Sequence, residues 1–572
     1  VTNNYVSIDN SLKKININVC DVLLREQDYQ KLRMVTGFLI LNNVKIYQPN
    51  GKFDKEEVYH LHMKNGVFSS IHKGLSREKG SHVIDGEGKT VVAGFTDSHM
   101  HLLRFGMLKN ELDLTQVTSW KEMKQEVEVY YPEIEEADWI FGKGFNDGTF
   151  TDIDHLLTAE DLDEINVNKY MYFMHQDGHE CVISKKLLER LEQEEDFYKE
   201  PEVFKERDDQ GNLTGRFKDT AVHYINYHLW ERSVEHSKES LSAAIPYLLE
   251  NGITTVHTDD RSFVGSYQSL WSAYTSLEEE GSLPIEAYLH HYIFNQKDLD
   301  EFIESFHKRT GEGTDRVKVG AIKIFLDGTQ RLHTAAMRQP YPDSPDMTGY
   351  LIYDQDQLNR MVQTAATNGM QVAVHALGDR AVQSAITAFE QSEARTKKLR
   401  HRIIHAQTLG EDLLERMEEL GVYIETQPSF LIEEWNQKSQ WTPEDIVPYC
   451  DAFGSMLKHN IPITLSSDAP IGYLDPIVSI FGAVNRMDTN HQPSGGWMPS
   501  EKISVEEAFS GFGTVPSELE WNEDVKGKIA EGFQADFVLL NQHPSEISTS
   551  KLMQLHVQST WIKGKEVYSR TF

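Results

Sequence analysis

Two histidines separated by one residue, His99 and His101, close the run Val91-Val92-Ala93-Gly94-Phe95-Thr96-Asp97-Ser98. The run is apolar and β-branched at its start, so it reads as a strand. Side chains alternate along a strand, which puts both imidazoles on one face. A pair so placed can grip one metal ion from one side. The pattern alone is weak, because 24 histidines in 572 residues give about one His-x-His pair by chance. The chain carries such a pair, His60-Leu61-His62, and nothing around it in the sequence suggests a metal. Distant partners held by a suitable architecture must therefore promote His99 and His101 to ligands.

The elements that would hold those partners alternate. Strand-like segments occur at 91–97, 253–258, 284–294, 319–327, 370–375, 402–407, 422–427 and 462–468, with helix-like stretches between them. Eight strands separated by helices predict an α/β protein built on a (β/α)8 TIM barrel over residues 91–524. A doubly wound open sheet is the runner-up, but no Gly-x-Gly-x-x-Gly opens a helix after the first strand. About 150 residues, Leu102 to Asn251, separate the first two strands, far more than an ordinary βα loop. They predict an inserted subdomain over 102–250. Short strands with turn signals at 36–90 (Pro49-Asn50-Gly51, Asn65-Gly66) and again at 525–572 predict one small β-sandwich domain formed by both chain ends. Residues 1–35 are polar and read as a surface extension.

Active sites of such barrels lie at the C-terminal ends of the strands. Those ends carry His99 and His101 on strand one, Lys323 on strand four, His375 on strand five, His405 on strand six and Asp468 on strand eight. A lone buried histidine usually serves the core. Four histidines and an aspartate gathered at these ends are hard to explain that way.

Composition narrows the rest. The length suggests roughly two to four domains. The net charge of −33 speaks against nucleic acid and anionic membranes as partners. No apolar run approaches the ~18 residues of a membrane span, and the first residues lack a signal-peptide core, so a cytoplasmic location is expected. Cys20, Cys181 and Cys450 form no Cys-x-x-Cys pair, which leaves histidine and carboxylate to hold any metal.

The motifs together resemble the amidohydrolase superfamily of metal-dependent hydrolases, in its YtcJ-like (amidohydrolase 3) branch. They are Gly94-Phe95-Thr96-Asp97-Ser98-His99-Met100-His101, Asp177-Gly178-His179, Gly252 to His257, Lys323 to Gly328, His375 to Ala381, His405-Ala406-Gln407, Gln427-Pro428, Ser467 to Pro470 and Ala535-Asp536. They run in family order from about Gly37 to the C-terminus. Two stretches depart from the usual pattern, Thr329 to Ala336 and Glu180 to Ser184, both in expected substrate-facing loops.

The resemblance implies that His99, His101 and Asp468 hold the more buried metal and that His375 and His405 hold a second. Lys323 would bridge them as a carbamate formed with CO2, since a protonated amine cannot ligate. The alternative is an amine that pairs with Asp327 or substrate beside a single metal. Zinc is the expected divalent ion, one or two per chain, with manganese or iron as alternatives. Such an ion lowers the pKa of bound water to about 7, and Asp468 would act as general base and then acid. His179 and Arg380 are candidate substrate contacts. The expected activity is hydrolysis of a carbon–nitrogen bond in an amide, N-substituted formamide or cyclic amide, with a small-molecule substrate and a homodimer as the default assembly. A deaminase on the same scaffold and a non-enzymatic scaffold protein are the alternatives. The filled ligand positions argue against the second, and Lys323 against the first.

Overall fold

A computed structural model describes residues 38–570, apart from 50, 52, 81, 110, 132–138, 195–196, 198–201 and 230–232. The expected extension at 1–35, with Cys20, lies outside the described residues.

Eight parallel strands form the barrel, Phe95–Met100, Ile253–Thr258, Glu286–Tyr292, Val317–Phe325, Val372–Ala376, Arg402–His405, Tyr423–Thr426 and Ile463–Leu465, each hydrogen-bonded to the next in that order. They are buried along their length, as expected of a sheet covered on both faces. Strands one and eight meet without a regular ladder. Side chains close the seam instead: Ser98 Oγ donates to Thr464 Oγ1 at 2.7 Å, and the Ser467 hydroxyl and amide donate to the Asp97 carboxylate at 2.5 and 3.1 Å. The Asp468 amide completes it, donating to the His99 carbonyl at 2.9 Å. The seam thus ties His99 and Asp468, both expected from the sequence to hold a metal, to each other through the backbone.

The run expected as one strand from 91 to 97 divides at Gly94. Thr90–Ala93 pairs antiparallel with Phe537–Leu540, and Phe95–Met100 opens the barrel. A Cβ on Gly94 would stand 2.5 Å from Thr254 Oγ1, so the chain can change sheets here only without a side chain. Thr90–Ala93 and the C-terminal strands Phe537–Leu540, Val557–Ile562 and Lys565–Ser569 join the N-terminal strands Phe38–Ile46, Tyr59–Lys64 and Val67–Lys73 in one sheet. Val557–Ile562 and Lys565–Ser569 form a hairpin turned at Lys563-Gly564, where both residues have positive φ. Leu41, Leu61, Phe68, Phe537 and Trp561 from both ends of the chain share one core.

Between the first two barrel strands, a six-stranded sheet spans residues 112–218 with a core of its own that includes Trp120, Ile140 and Phe173. Helices Leu102–Met107 and Val234–Glu250 flank it and pack on each other closely enough that a Cβ on Gly106 would meet the Ser240 carbonyl at 1.9 Å. The turn at Gly178 (φ +72°) approaches Ile471 in the loop after barrel strand eight. The inserted sheet therefore reaches the barrel mouth. Among the described residues, no helix is long and apolar enough to cross a membrane.

Candidate metal centre

Four histidines, a lysine and an aspartate converge at the C-terminal ends of the barrel strands. Asp468 Oδ1 lies 3.4 Å from His99 Nε2 and 3.3 Å from His101 Nε2, and Lys323 Nζ lies 3.4 Å from His99 Nε2. The His405 ring stands 5.8 Å from that of His99 and 4.7 Å from that of His375. Donor atoms of His99, His405 and Asp468 all fall within 4.8 Å of one another. Two donors each about 2.1 Å from a tetrahedral ion are separated by roughly 3.4 Å. The spacing around Asp468 matches that value.

The tautomers also suit a cation. His101 donates from Nδ1 to the Asp259 carbonyl at 2.6 Å, which turns its Nε2 toward Asp468. His405 Nδ1 donates to Gln427 Oε1 at 2.7 Å. The Gln427 amide group donates to Ser466 Oγ and the Glu425 carbonyl at 2.9 and 3.2 Å, and this fixes its oxygen toward the imidazole. His375 donates from Nε2 to the Gly328 carbonyl at 3.3 Å, so Nδ1 is its free donor. His99 Nδ1 is buried with no hydrogen-bond partner.

Burial sets the protonation states. It holds His99 and His375 well below the usual histidine pKa, helped by the neighbouring Lys323 and His405, and it brings His405 to about 4. These imidazoles are neutral, the form that ligates. Burial raises the Asp468 carboxyl, but the His101 hydrogen bond and the charges of His405, His101 and Lys323 outweigh it, and the group ionises more readily than usual. His101 is correspondingly raised, its burial opposed by Asp468. Lys323 is buried and pulled below its usual pKa, against the attraction of Asp259, Asp468 and Glu425. Asp327 is not its partner. That carboxylate accepts from the amides of Ala336, Leu377 and Gly378 at 2.9–3.1 Å, tying the loop after strand four to the end of strand five. His405 (φ 75°) and Asp468 (φ 53°) both occupy the left-handed region, which costs about 1–3 kcal/mol each for residues other than glycine. Strain of this kind persists where the surroundings hold a side chain to a task.

The centre opens into a cavity of about 280 Å³, walled by the inserted sheet and the loops of the barrel mouth. His99, His101, His375, His405 and Asp468 line its floor. His179 lines its wall, held by a 3.0 Å contact between Nδ1 and Asp219 Oδ1. Arg380 is elsewhere: its guanidinium donates to the carbonyls of Thr348 and Gly349, and it is not among the residues that line the cavity. Sequence reasoning missed His175, His223 and Lys143 on the cavity wall. Burial keeps His223 well below its usual pKa and brings His175 to about 4 and Lys143 to about 8. No local spacing marks them, because the insertion's placement brings them to the mouth. The holders Asp259 and Gln427 follow barrel strands two and seven; for Asp259 that position was the legible signal, and Gln427 also stood in the Gln427-Pro428 motif.

Comparison with known proteins agrees with this geometry. Residues 82–568 match the model of the amidohydrolase family. The protein YtcJ of Bacillus subtilis (strain 168) is 30% identical over 485 residues, covering 85% of this chain and 90% of the relative. An N-substituted formamide deformylase of Arthrobacter pascens is 24% identical over 508 residues, 86% of this chain and 90% of its own. The crystal structure of an uncharacterized metal-dependent hydrolase from Pyrococcus horikoshii OT3 superposes with a TM-score of 0.72 at 25% identity, over 90% of this chain and 99% of that one.

Proposed function

The chain belongs to the amidohydrolase family and is a hydrolase of carbon–nitrogen bonds, and we propose that it cleaves a small amide, N-substituted formamide or cyclic amide at a zinc centre held by His99, His101, Lys323, His375, His405 and Asp468. The observation that carries this reading is Asp468, an ionised carboxylate within 3.4 Å of two imidazole nitrogens, on the floor of a cavity. A bound divalent ion would supply Lewis acidity toward the substrate carbonyl and activate water.

The chain's own groups do the rest. Asp468 accepts the proton of the attacking water as the carbon–oxygen bond forms, and returns it to the nitrogen as the carbon–nitrogen bond breaks. Burial disfavours the charged form of the Lys323 amine, and the neutral amine is the form that reacts with CO2; its carbamate would be an anion with two oxygen donors for the histidines. His179 is oriented by Asp219 through Nδ1, which leaves Nε2 for a substrate oxygen. The cavity volume sits near the lower end of small-molecule sites. The deformylase relative supports the N-substituted formamide class by its name.

The test is a panel of N-formyl amines, N-acyl amines, cyclic ureas and aminopurines, assayed with zinc or manganese. Amine and carboxylate release from one of the amide classes is expected, lost in Asp468→Asn with unchanged thermal unfolding. Ammonia release from the aminopurines alone would turn the reading to deamination. A folded wild-type protein that retains no metal and turns over nothing would overturn it.

A further inference from the structure

The pair His60-Leu61-His62 is not isolated in the folded protein. Tyr59–Lys64 and Val67–Lys73 form an antiparallel hairpin in which His60 pairs with His72 and His62 with Ser70. Tyr59, Leu61 and Met63 point into the core shared by the chain ends, so the alternating His60 and His62 take the outer face. The three imidazole rings form a near-equilateral triangle, with centroids 5.3, 5.1 and 5.2 Å apart. One nitrogen from each lies within 4.8 Å of the others, the same closeness found among His99, His405 and Asp468.

We propose that His60, His62 and His72 form a second metal site, taking zinc or another imidazole-preferring divalent ion such as copper through three nitrogens. Three imidazoles with an open fourth position suit these ions. Each ring has a donor to offer. His60 Nδ1 is held by the Gly74 carbonyl at 2.8 Å, which leaves Nε2. His72 Nε2 contacts Ser70 Oγ at 3.0 Å, which leaves Nδ1. His62 Nε2 is buried with no hydrogen-bond partner, and burial together with the two neighbouring imidazoles keeps this ring below the usual histidine pKa. The segment after Gly74 folds back over the same face, with the Ser76 amide on Asn42 Oδ1 at 2.8 Å. It brings Glu78, whose carboxylate opposes the lowering of His62 and contacts His82 Nε2 at 3.4 Å. That carboxylate is a candidate for a fourth donor. A net charge of −33 favours any cation.

The experiment uses the full chain with its catalytic metal loaded. Zinc and, separately, copper(II) are added to the wild type, His62→Ala, His72→Ala and Asp468→Asn. Metal per chain is then counted by mass spectrometry after gel filtration, and copper spectra are recorded by electron paramagnetic resonance. Wild type should hold one equivalent more than either histidine variant, and its copper signal should show coupling to several nitrogens. The two histidine variants should keep hydrolysis within about twofold of wild type, since an exposed or half-buried face away from the reacting groups is changed. Asp468→Asn should keep the extra equivalent while losing activity, which separates this proposal from the catalytic reading. Equal metal content in wild type and both histidine variants would overturn it. So would loss of the extra equivalent in Asp468→Asn with the histidine variants unaffected.

Discussion

Two His-x-His pairs lie on strands of this protein and have different surroundings. His99 and His101 end a barrel strand, His99 is fully buried, and an aspartate, a lysine and two further histidines stand around them. His60 and His62 lie on an open sheet face, joined by one exposed histidine, with no carboxylate among the three. Beside the first pair, the Asp259 carbonyl orients the His101 ring, and Gln427, itself held by Ser466, orients the neighbouring His405. In the second, the Gly74 carbonyl holds His60, a half-buried serine holds the exposed His72, and His62 Nε2 has no partner. The sequence pattern is the same in both. What separates a site that can drive a reaction from one that can at most hold an ion is the second ring of contacts and the acid–base group beside the donors.

The comparison breaks most sharply at Asp468. Replacing it with asparagine removes the proton acceptor and weakens a ligand, and kcat/KM on the responsive amide should fall by about a thousandfold or more. No change at the His60, His62 and His72 triad should approach that, and steady-state kinetics on the two sets of variants checks it. Lys323→Ala comes next. If the lysine serves both histidine groups, metal at the barrel should drop from two ions to one per chain, measured by mass spectrometry with His72→Ala as the background. A count that stays at two would remove the lysine from the ligand set. Gln427→Ala leaves every proposed ligand in place and frees the His405 ring, so metal affinity at the barrel should weaken by about 10- to 100-fold in a competition titration with a chelator.

The barrel was legible because its strands are short β-branched and apolar segments alternating with helical stretches, and because the candidate ligands sit at segment ends, where the fold needs no polar group. The switch of sheets at Gly94 was less legible, since Val91 to Phe95 is apolar on both sides of the break and only the contact with Thr254 shows why a glycine stands there. The cavity wall was not legible at all. His175, His223 and Lys143 owe their place to packing between the insertion and the barrel, which local spacing does not encode. His72 shows the limit most clearly. A regular two-residue hairpin at Asn65-Gly66 pairs Lys64 with Val67, and continued without a break it would set Ile71 opposite His60. A register shift between His62 and Met63 moves the pairing by one residue and puts His72 there instead. One irregular residue thus decides which side chain completes the triad, because a one-residue slip exchanges the faces of a strand.

The smallest expected effect tests the same contrast from the weaker side. Ser70 is the counterpart of Gln427 at the His60, His62 and His72 triad, a side chain that contacts one candidate ligand and holds its ring. Gln427 is buried, and its amide is committed to two further acceptors, so losing it leaves His405 without a fixed orientation in a closed space. The Ser70 contact is exposed, and water can replace the hydroxyl. An exposed hydrogen bond contributes about 0.5 kcal/mol, so Ser70→Ala should change zinc affinity at the triad by about twofold. Calorimetric titration on the Asp468→Asn background, where hydrolysis cannot interfere, measures it. A change of tenfold or more would mean that the triad is held as firmly as the barrel centre, and the distinction between a preorganised site and an adaptable one would then fail for this protein.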